Sequence, residues 1–421
     1  MARTFIRYQH RAWLIFFCMV LASMLSYFHQ VGLSTASAEI GSSLNLNAAD
    51  LGMLASAFTC AYAAMQIPAG ILADTWGSRK SVSASLILAA AGTLLFACAH
   101  SLAAAAAGRL LTGLGIAVIA VPMMKLTAVW FPPSRFGSLT AISFTMGGLG
   151  FFAATMPMAG ACSAFGWRFT YHVIAALTIA CAFGAWVIVR DAPQNGQDGM
   201  DSASQKSLPS MLHDILGSRQ AWLLGGWYFC LGGIYFAFTG LWAGQLLING
   251  LGKSIQEAGS ILALPACAIM TAPIFTWAAG KAGNRIMLIA LSASTLIFSL
   301  PLALGFPKVS SLATAACFSL LSISAMGGAA IVFTAVKELF PVSHAGTATG
   351  FINIFPFLGG AFLQHAIGFA TDLSLSAGHS PVHALTSAFA MFPAAAALAF
   401  LLALLLPRRA AVHIPQPGML S

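Results

Sequence analysis

Residues 70–80 read Gly70-Ile71-Leu72-Ala73-Asp74-Thr75-Trp76-Gly77-Ser78-Arg79-Lys80. Three charges lie in this short stretch, and long apolar runs flank it: neither 51–72 nor 82–100 contains an Asp, Glu, Lys or Arg. Each run is about 20 residues, the length of helix that crosses roughly 30 Å of hydrocarbon. The stretch therefore reads as a polar loop joining two membrane-crossing helices. Working outward, the same pattern recurs, and it predicts twelve helices at 12–34, 51–72, 82–100, 103–129, 138–161, 169–190, 221–248, 256–279, 286–305, 311–336, 346–370 and 384–406.

Composition agrees. Of 421 residues, 59% are hydrophobic and 7% charged, against roughly 25% charged in soluble domains. There is too little charge to cover a soluble surface. Strands of a membrane barrel alternate polar and apolar residues, and these runs do not. Helices satisfy their own backbone hydrogen bonds, as lipid demands, so the fold class is all-α integral membrane. Pro68, Pro122, Pro157, Pro265, Pro273, Pro301, Pro356 and Pro393 fall inside the predicted helices, where neighbouring helices re-satisfy the freed carbonyls. Arg3, Arg7 and Arg11 before an apolar run resemble a signal peptide. The run from Ala12 to about Leu33 exceeds an h-region of 7–15 residues, so it is read as the first membrane helix. The eight cysteines form no C-x-x-C pair and read as small hydrophobes. No metal site and no cofactor are expected.

The net charge of +9 would suggest nucleic acid in a soluble protein; here its distribution sets topology. Loops on one side carry Arg3, Arg7, Arg11, Arg79, Lys80, Arg135, Arg190, Lys206, Arg219, Lys281, Arg285, Lys337, Arg408 and Arg409, fourteen in all, against Arg168, Lys253 and Lys308 on the other. By the positive-inside rule both termini are expected in the cytoplasm. The expected surroundings are the lipid bilayer of a cell inner membrane, with no nucleic-acid partner.

The polar stretch from Asp191 to Arg219 divides the chain. It predicts a bundle over 1–190, a cytoplasmic linker over 191–220 and a second bundle over 221–421. The halves repeat. Asn47-Ala48-Ala49-Asp50 and Ser254-Ile255-Gln256-Glu257 are both capping-box starts. Gly77-Ser78-Arg79 matches Gly283-Asn284-Arg285, and Trp130-Phe131-Pro132-Pro133-Ser134-Arg135-Phe136-Gly137 matches Leu339-Phe340-Pro341-Val342-Ser343-His344-Ala345-Gly346. Three matches in order at nearly one offset indicate duplication of a six-helix unit.

The stretch Gly70–Lys80 resembles the loop 2–3 signature of the major facilitator superfamily, and Arg109-Leu110-Leu111-Thr112-Gly113 resembles its helix 4 motif, with Thr112 in place of Gln. The resemblance covers essentially the whole chain. It implies two six-helix bundles around a central cavity, lined by helices 1, 4, 7 and 10, with helices 3, 6, 9 and 12 facing lipid. It implies that Gly70, Asp74, Gly77, Arg79 and Lys80 form a cytoplasmic gate motif. Gly280 stands where the second copy would need its aspartate, so a symmetric gate is not expected. Gly147-Gly148-Leu149-Gly150 followed by Pro157 departs from the helix 5 pattern of proton-coupled drug exporters.

No catalytic constellation is present. Gly252-Lys253-Ser254 mimics the end of a phosphate-binding loop, but Leu247 stands where the first glycine belongs.

Ionisable groups inside a membrane are costly and are candidates for function. Arg109 lies in the outer half of helix 4, at a depth similar to Tyr27, His29 and Gln30 on helix 1. Ser23, Tyr27, Gln30 and Ser34 share one helical face. Tyr228, Tyr235, Thr239 and Trp242 form a stripe on helix 7, and Asn353 and Gln364 share a face of helix 11. The substrate-binding candidates are Arg109, Tyr27, Gln30, His29, Tyr228, Tyr235, Trp242 and Asn353. Each has a plainer reading: Arg109 as a tie to backbone carbonyls, the aromatics as packing, His29 as a neutral hydrogen-bonding group. Gln364 could simply reach the outer water layer. Lys125 is expected to snorkel to the cytoplasm. The ten acids all fall at helix ends or in loops, so a proton-coupled cycle would need His29 or His365, or a carboxylate near the membrane edge. The expected function is secondary active transport of a small solute, an organic anion, with a proton as a possible co-substrate, by a monomer cycling through alternating access. The alternatives are an exporter of amphipathic compounds and a non-transporting receptor or scaffold.

Overall fold

The computed structural model describes residues 2–191, 213–305, 310–340 and 345–407. Among the described residues every regular element is helical. The first span is Ala2–Leu44 and the second is Ala48–Ala64. The second continues, bent by 46°, into Gln66–Thr75. Span three is Ser78–Ala97, and span four is Leu102–Ile116 followed by Ala120–Trp130. Span five begins as Pro133–Ala153. The helix Met156–Ile188 completes it and carries span six as well, because Gly166 turns the chain with φ 79°. Without that turn, the run Ser134–Ile188 would be 55 residues, far beyond a bilayer at 1.5 Å per residue. Among the described residues ten runs are long and apolar enough to cross a membrane, the bent pair makes eleven, and the turn at Gly166 makes twelve.

In the second half, span seven runs Arg219–Ala237 and continues through two wider π turns, Phe238–Trp242 and Leu246–Gly250. Span eight joins Ile255–Ala266 to Ala272–Ala282 through the tight turn Cys267–Thr271, which follows Pro265. Span nine is Asn284–Ala303, and span ten is Ser311–Met326 plus Ala329–Leu339. Span eleven is Ala345–Ser376, and span twelve is Pro381–Ala388 plus Met391–Leu405.

The duplication is visible in local geometry. Asn47 and Ser254 both close capping boxes, with Asp50 and Glu257. Gly77 and Gly283 both have positive φ, 82° and 94°, where spans three and nine begin. Arg79 donates to the Trp186 carbonyl at 2.7 Å and Arg285 to the Leu404 carbonyl at 2.5 Å, each tying the start of one span to the end of another in its own half. Spans four and ten are both interrupted near their middles. The Pro341–His344 part of the third sequence match lies outside the described residues.

Exposed apolar side chains lie on spans three, six, nine and twelve (Ile87, Phe183, Ile297 and Leu401), but equally on spans one, eight and eleven (Phe17, Trp277 and Phe362), so the outward apolar surface is not confined to the four spans expected to face lipid. Span seven is almost wholly buried. Of the expected linker, 192–212 lies outside the described residues. Its first residue is engaged instead of loose: the Asp191 carboxylate accepts from the Arg79 amide at 3.0 Å.

The up-and-down order puts the starts of spans two, four, six, eight, ten and twelve at one end, here called distal, and the starts of the odd-numbered spans at the other, here called terminal. The halves meet along three seams: span one on span seven, two on eleven, and five on eight.

Candidate functional site

The middle of the molecule is paved with aromatic rings from both halves. Tyr27 packs on Phe151 at 4.9 Å between centroids, and Phe151 meets Tyr235 at 6.3 Å. Tyr62 meets Phe357 at 4.2 Å, Phe357 meets Phe236 at 4.6 Å, and Phe236 meets Tyr235 at 5.3 Å. The result is one continuous set from spans one, two, five, seven and eleven. Offset and edge-on pairs at such distances contribute about 0.5–1.5 kcal/mol beyond burial. Span five can approach because Gly147 has no side chain: a Cβ there would collide with the Tyr27 ring.

The polar groups of this region are neutral. Asn353 Nδ2 donates to Gln66 Oε1 at 2.6 Å, joining spans eleven and two across the halves. Gln66 Nε2 turns back to the Tyr62 carbonyl at 3.1 Å. Deeper toward the distal end, Gln364 Oε1 accepts from the Thr59 hydroxyl at 3.0 Å and Gln364 Nε2 donates to the Phe236 carbonyl at 3.1 Å. Gln364 is 2% exposed, so it ties three spans together and does not reach water. Tyr62 and Gln66 were not among the sequence candidates, although their spacing of four puts both on one face of span two.

The sequence candidates divide. Tyr27 and Asn353 lie within this central group. Tyr235 also does, but its hydroxyl is committed to the Ala266 carbonyl at 2.6 Å. Tyr228 stacks beside Trp227 and meets Phe333 edge-on at 6.2 Å. Gln30 is 5% exposed, with its carbonyl close to Gly240 on span seven. Trp242, 1% exposed, lies in the π turn of span seven, and its indole N–H has no partner.

Arg109 is 3% exposed and inside the first half. Its Nη1 donates to the His29 carbonyl at 3.3 Å, and its Cζ lies 4.4 Å from the Phe58 ring centroid. The tie to a backbone carbonyl of span one, one of the two sequence readings, is the contact formed in this conformation. Arg109 Nε, His29 Nε2 and the Tyr171 hydroxyl are buried without a hydrogen-bond partner. His29 meets Arg109 through its backbone, not its ring. Phe58 then links Arg109 to the aromatic floor, since it lies 6.1 Å from Tyr62.

At the terminal end, Asp74 Oδ1 pairs with Lys125 Nζ at 2.7 Å. Lys125 also donates to the Ala73 carbonyl at 3.0 Å. It does extend toward the terminal end, but onto a partner in the same half. Arg79 lies over the Trp186 ring at 4.4 Å. Gly77 holds φ 82° and abuts the Asp191 carboxylate, while Gly70 has open space beside it. The contacts that these gate-motif residues form here are within the first half.

At the distal end the seams are tight. Ser34 donates to the Leu241 carbonyl and accepts from the Gly244 amide, both at 3.2 Å, joining spans one and seven. Cys267 reaches the Gly148 carbonyl at 3.4 Å, joining spans eight and five.

This architecture has close parallels. The sequence is 24% identical to the membrane sensor protein UhpC of Escherichia coli (strain K12), over 89% of this chain and 91% of that protein. It is 21% identical to the hexuronate transporter of Bacillus subtilis (strain 168), over 84% and 86%. It is 25% identical to the probable galactarate/D-glucarate transporter GudP of Escherichia coli (strain K12), over 85% and 86%. The fold superposes on a bacterial homologue of the human lysosomal transporter Spinster, inward-facing and unoccupied, with TM-score 0.74 and 15% identity, covering 93% of this chain and 97% of that one. A D-xylose–proton symporter gives TM-score 0.73 and 12% identity, covering 94% and 98%. The sequence pattern of the Major Facilitator Superfamily matches residues 15–364, and the chain is a multi-pass membrane protein belonging to that transporter family.

Proposed function

We infer that the protein carries small organic anions across the membrane by alternating access, with the solute held between the aromatic floor and the Gln66–Asn353 bridge. One observation carries this reading. Arg109 is a buried guanidinium within span four, and every acid among the described residues lies toward a helix end or in a loop. A buried charge without a counter-ion is costly in lipid, and an anionic solute supplies the missing one. In the present conformation Arg109 rests on Phe58 and the His29 carbonyl, so the solute reaches it when the distal seams part. The names of relatives that transport hexuronate and, with probable assignment, galactarate and D-glucarate favour a hydroxylated carboxylate. Such a solute matches the amides and tyrosine hydroxyls of the central group. The protein acts as a monomer in the inner membrane, with both termini cytoplasmic, and His29 carries a co-transported proton.

The test is ligand-dependent thermal stabilisation of the purified protein, followed by uptake into proteoliposomes. Hexuronates and aldarates should stabilise and be taken up, whereas the matching neutral sugars should not. Equal stabilisation by neutral sugars would overturn the anion reading. The likeness to a membrane sensor gives a second reading, ligand recognition without transport. Stabilisation with no flux in either direction would establish that one.

A further inference from the structure

Asp372 lies near the distal end of span eleven, in the second half, and is partly buried. Its carboxylate accepts from the Ala48 amide at 3.1 Å and from the Ala49 amide at 2.7 Å. These are the first two amides of span two, in the opposite half. The opening amides of a helix have no intrahelical partners, and the helix start carries partial positive charge. Span two is capped from within at only two places: the Asp50 amide donates to Asn47 Oδ1 at 2.7 Å, and the Asn47 amide to Asp50 Oδ2 at 3.2 Å. The two amides between them are taken by Asp372. The cap of one half is thus completed by a charge from the other.

The surrounding seam is built for contact. A Cβ at Gly52 would collide with the Gln364 carbonyl, and one at Gly368 with the Ala48 carbonyl. Each glycine admits the opposite backbone, which brings Asp372 over the helix start. Thr59 and Gln364 add a buried hydrogen bond farther in.

We propose that Asp372 is the positioning residue that clasps the distal gate, holding span eleven of one half on the open cap of span two in the other. Spans two and eleven cannot part at this end without breaking both bonds and leaving a carboxylate and two amides to water. Hydrogen bonds to an ionised group are stronger than neutral ones, so the clasp biases the cycle toward the distally closed conformation. The inference rests on alternating access and is independent of which solute is carried.

The experiment is hydrogen exchange followed by mass spectrometry on the intact protein in lipid nanodiscs. In Asp372→Asn, exchange should rise about tenfold, equal to about 1.4 kcal/mol, in 48–52 and also in 34–44 and 241–250, which lie on another seam. Segments 66–75 and 346–355 at the terminal end should gain protection. Ala48→Pro gives the second variant, because it deletes one donor while leaving Asp372 intact. Proline suits the first helical position, and Asn47 already has the extended backbone, φ −81° and ψ −179°, that a residue before proline prefers. It should reproduce the pattern in weaker form. A rise confined to 48–52 would reduce Asp372 to a local cap and sink the proposal. Gly52→Leu serves as a wedge that forces the seam. If the wedge opens the distal end and the Asp372 variant does not, the clasp fails while alternating access stands. If neither variant moves the distant segments, both fail.

Discussion

The Arg79 amide donates to the Asp191 carboxylate at 3.0 Å, and that carboxylate occupies the space a side chain at Gly77 would need, 2.8 Å from where its Cβ would stand. A residue that the sequence places at the edge of a linker therefore braces the loop between spans two and three. Gly77 also has φ 82° and ψ 158°, a backbone region essentially confined to glycine, which costs roughly 1–3 kcal/mol for a residue with a side chain. Gly77→Ala should lower the stability of the purified protein by at least that amount in thermal unfolding. Gly70→Ala is the internal control, since nothing lies within 4 Å of its added Cβ. Equal melting of the two variants would show that Asp191 yields freely.

Asp74→Asn should leave stability nearly unchanged. The Lys125 and Asp74 side chains are 37% and 74% exposed, and exposed pairs contribute roughly 0–1 kcal/mol. If the pair must form and break during the cycle, the cost appears in rate. Counterflow in proteoliposomes should slow while solute affinity, read from thermal stabilisation, stays constant. Unchanged flux would leave Asp74 and Lys125 with a purely topological role.

Arg109→Lys separates charge from shape. The guanidinium carbon lies 4.4 Å from the Phe58 ring centroid, and Nη1 donates to the His29 carbonyl. Lysine keeps the charge but is a compact ammonium without the planar fork. Under the anion reading, Arg109→Gln abolishes uptake, and Arg109→Lys weakens carboxylate binding by about tenfold, or about 1.4 kcal/mol. Full activity in both would make Arg109 a structural tie between spans one and four.

What could be read from the chain follows the range of the interactions. The capping boxes at Asn47 and Ser254 are complete within three residues, so the sequence announces both. The helix positions follow from apolar length, and the paired turns at Gly77 and Gly283 follow from internal repetition. The depth of Arg109 is legible, because helical rise fixes it. Its direction is not, because rotation within a bundle depends on neighbours such as Phe58. Gln364 shows the same gap: its partner Thr59 is 305 residues away, and no local pattern records that pairing. Lys125 reaches the terminal end as its position suggests, yet its bond to Asp74 depends on how the second span bends after Met65. Twelve predicted spans become helices with breaks at Met65, Ala117 to Ile119, Ala154 to Thr155, Gly327 to Gly328 and Phe389 to Ala390, where local kinks interrupt otherwise continuous apolar runs.

His29 offers the sharpest test of coupling. It is 2% exposed, and its Nε2 has no hydrogen-bond partner. Its backbone carbonyl, not its ring, receives the Arg109 guanidinium, so the ring is left available. A histidine ring can take up and release a proton, and no Asp or Glu among the described residues lies mid-span to share the task. In a proton-coupled cycle, anion binding near Arg109 favours the charged imidazolium, so solute and proton load together. His29→Gln keeps a hydrogen-bonding side chain of similar reach but cannot carry the proton. Uptake driven by an imposed pH gradient should then be lost, while counterflow exchange of solute, which needs no net proton movement, should persist. Loss of both would assign His29 to solute binding or to folding, which thermal stabilisation by the solute distinguishes. Gradient-driven uptake that survives in His29→Gln would remove His29 from the coupling mechanism and leave the protein a uniporter or exchanger at this site.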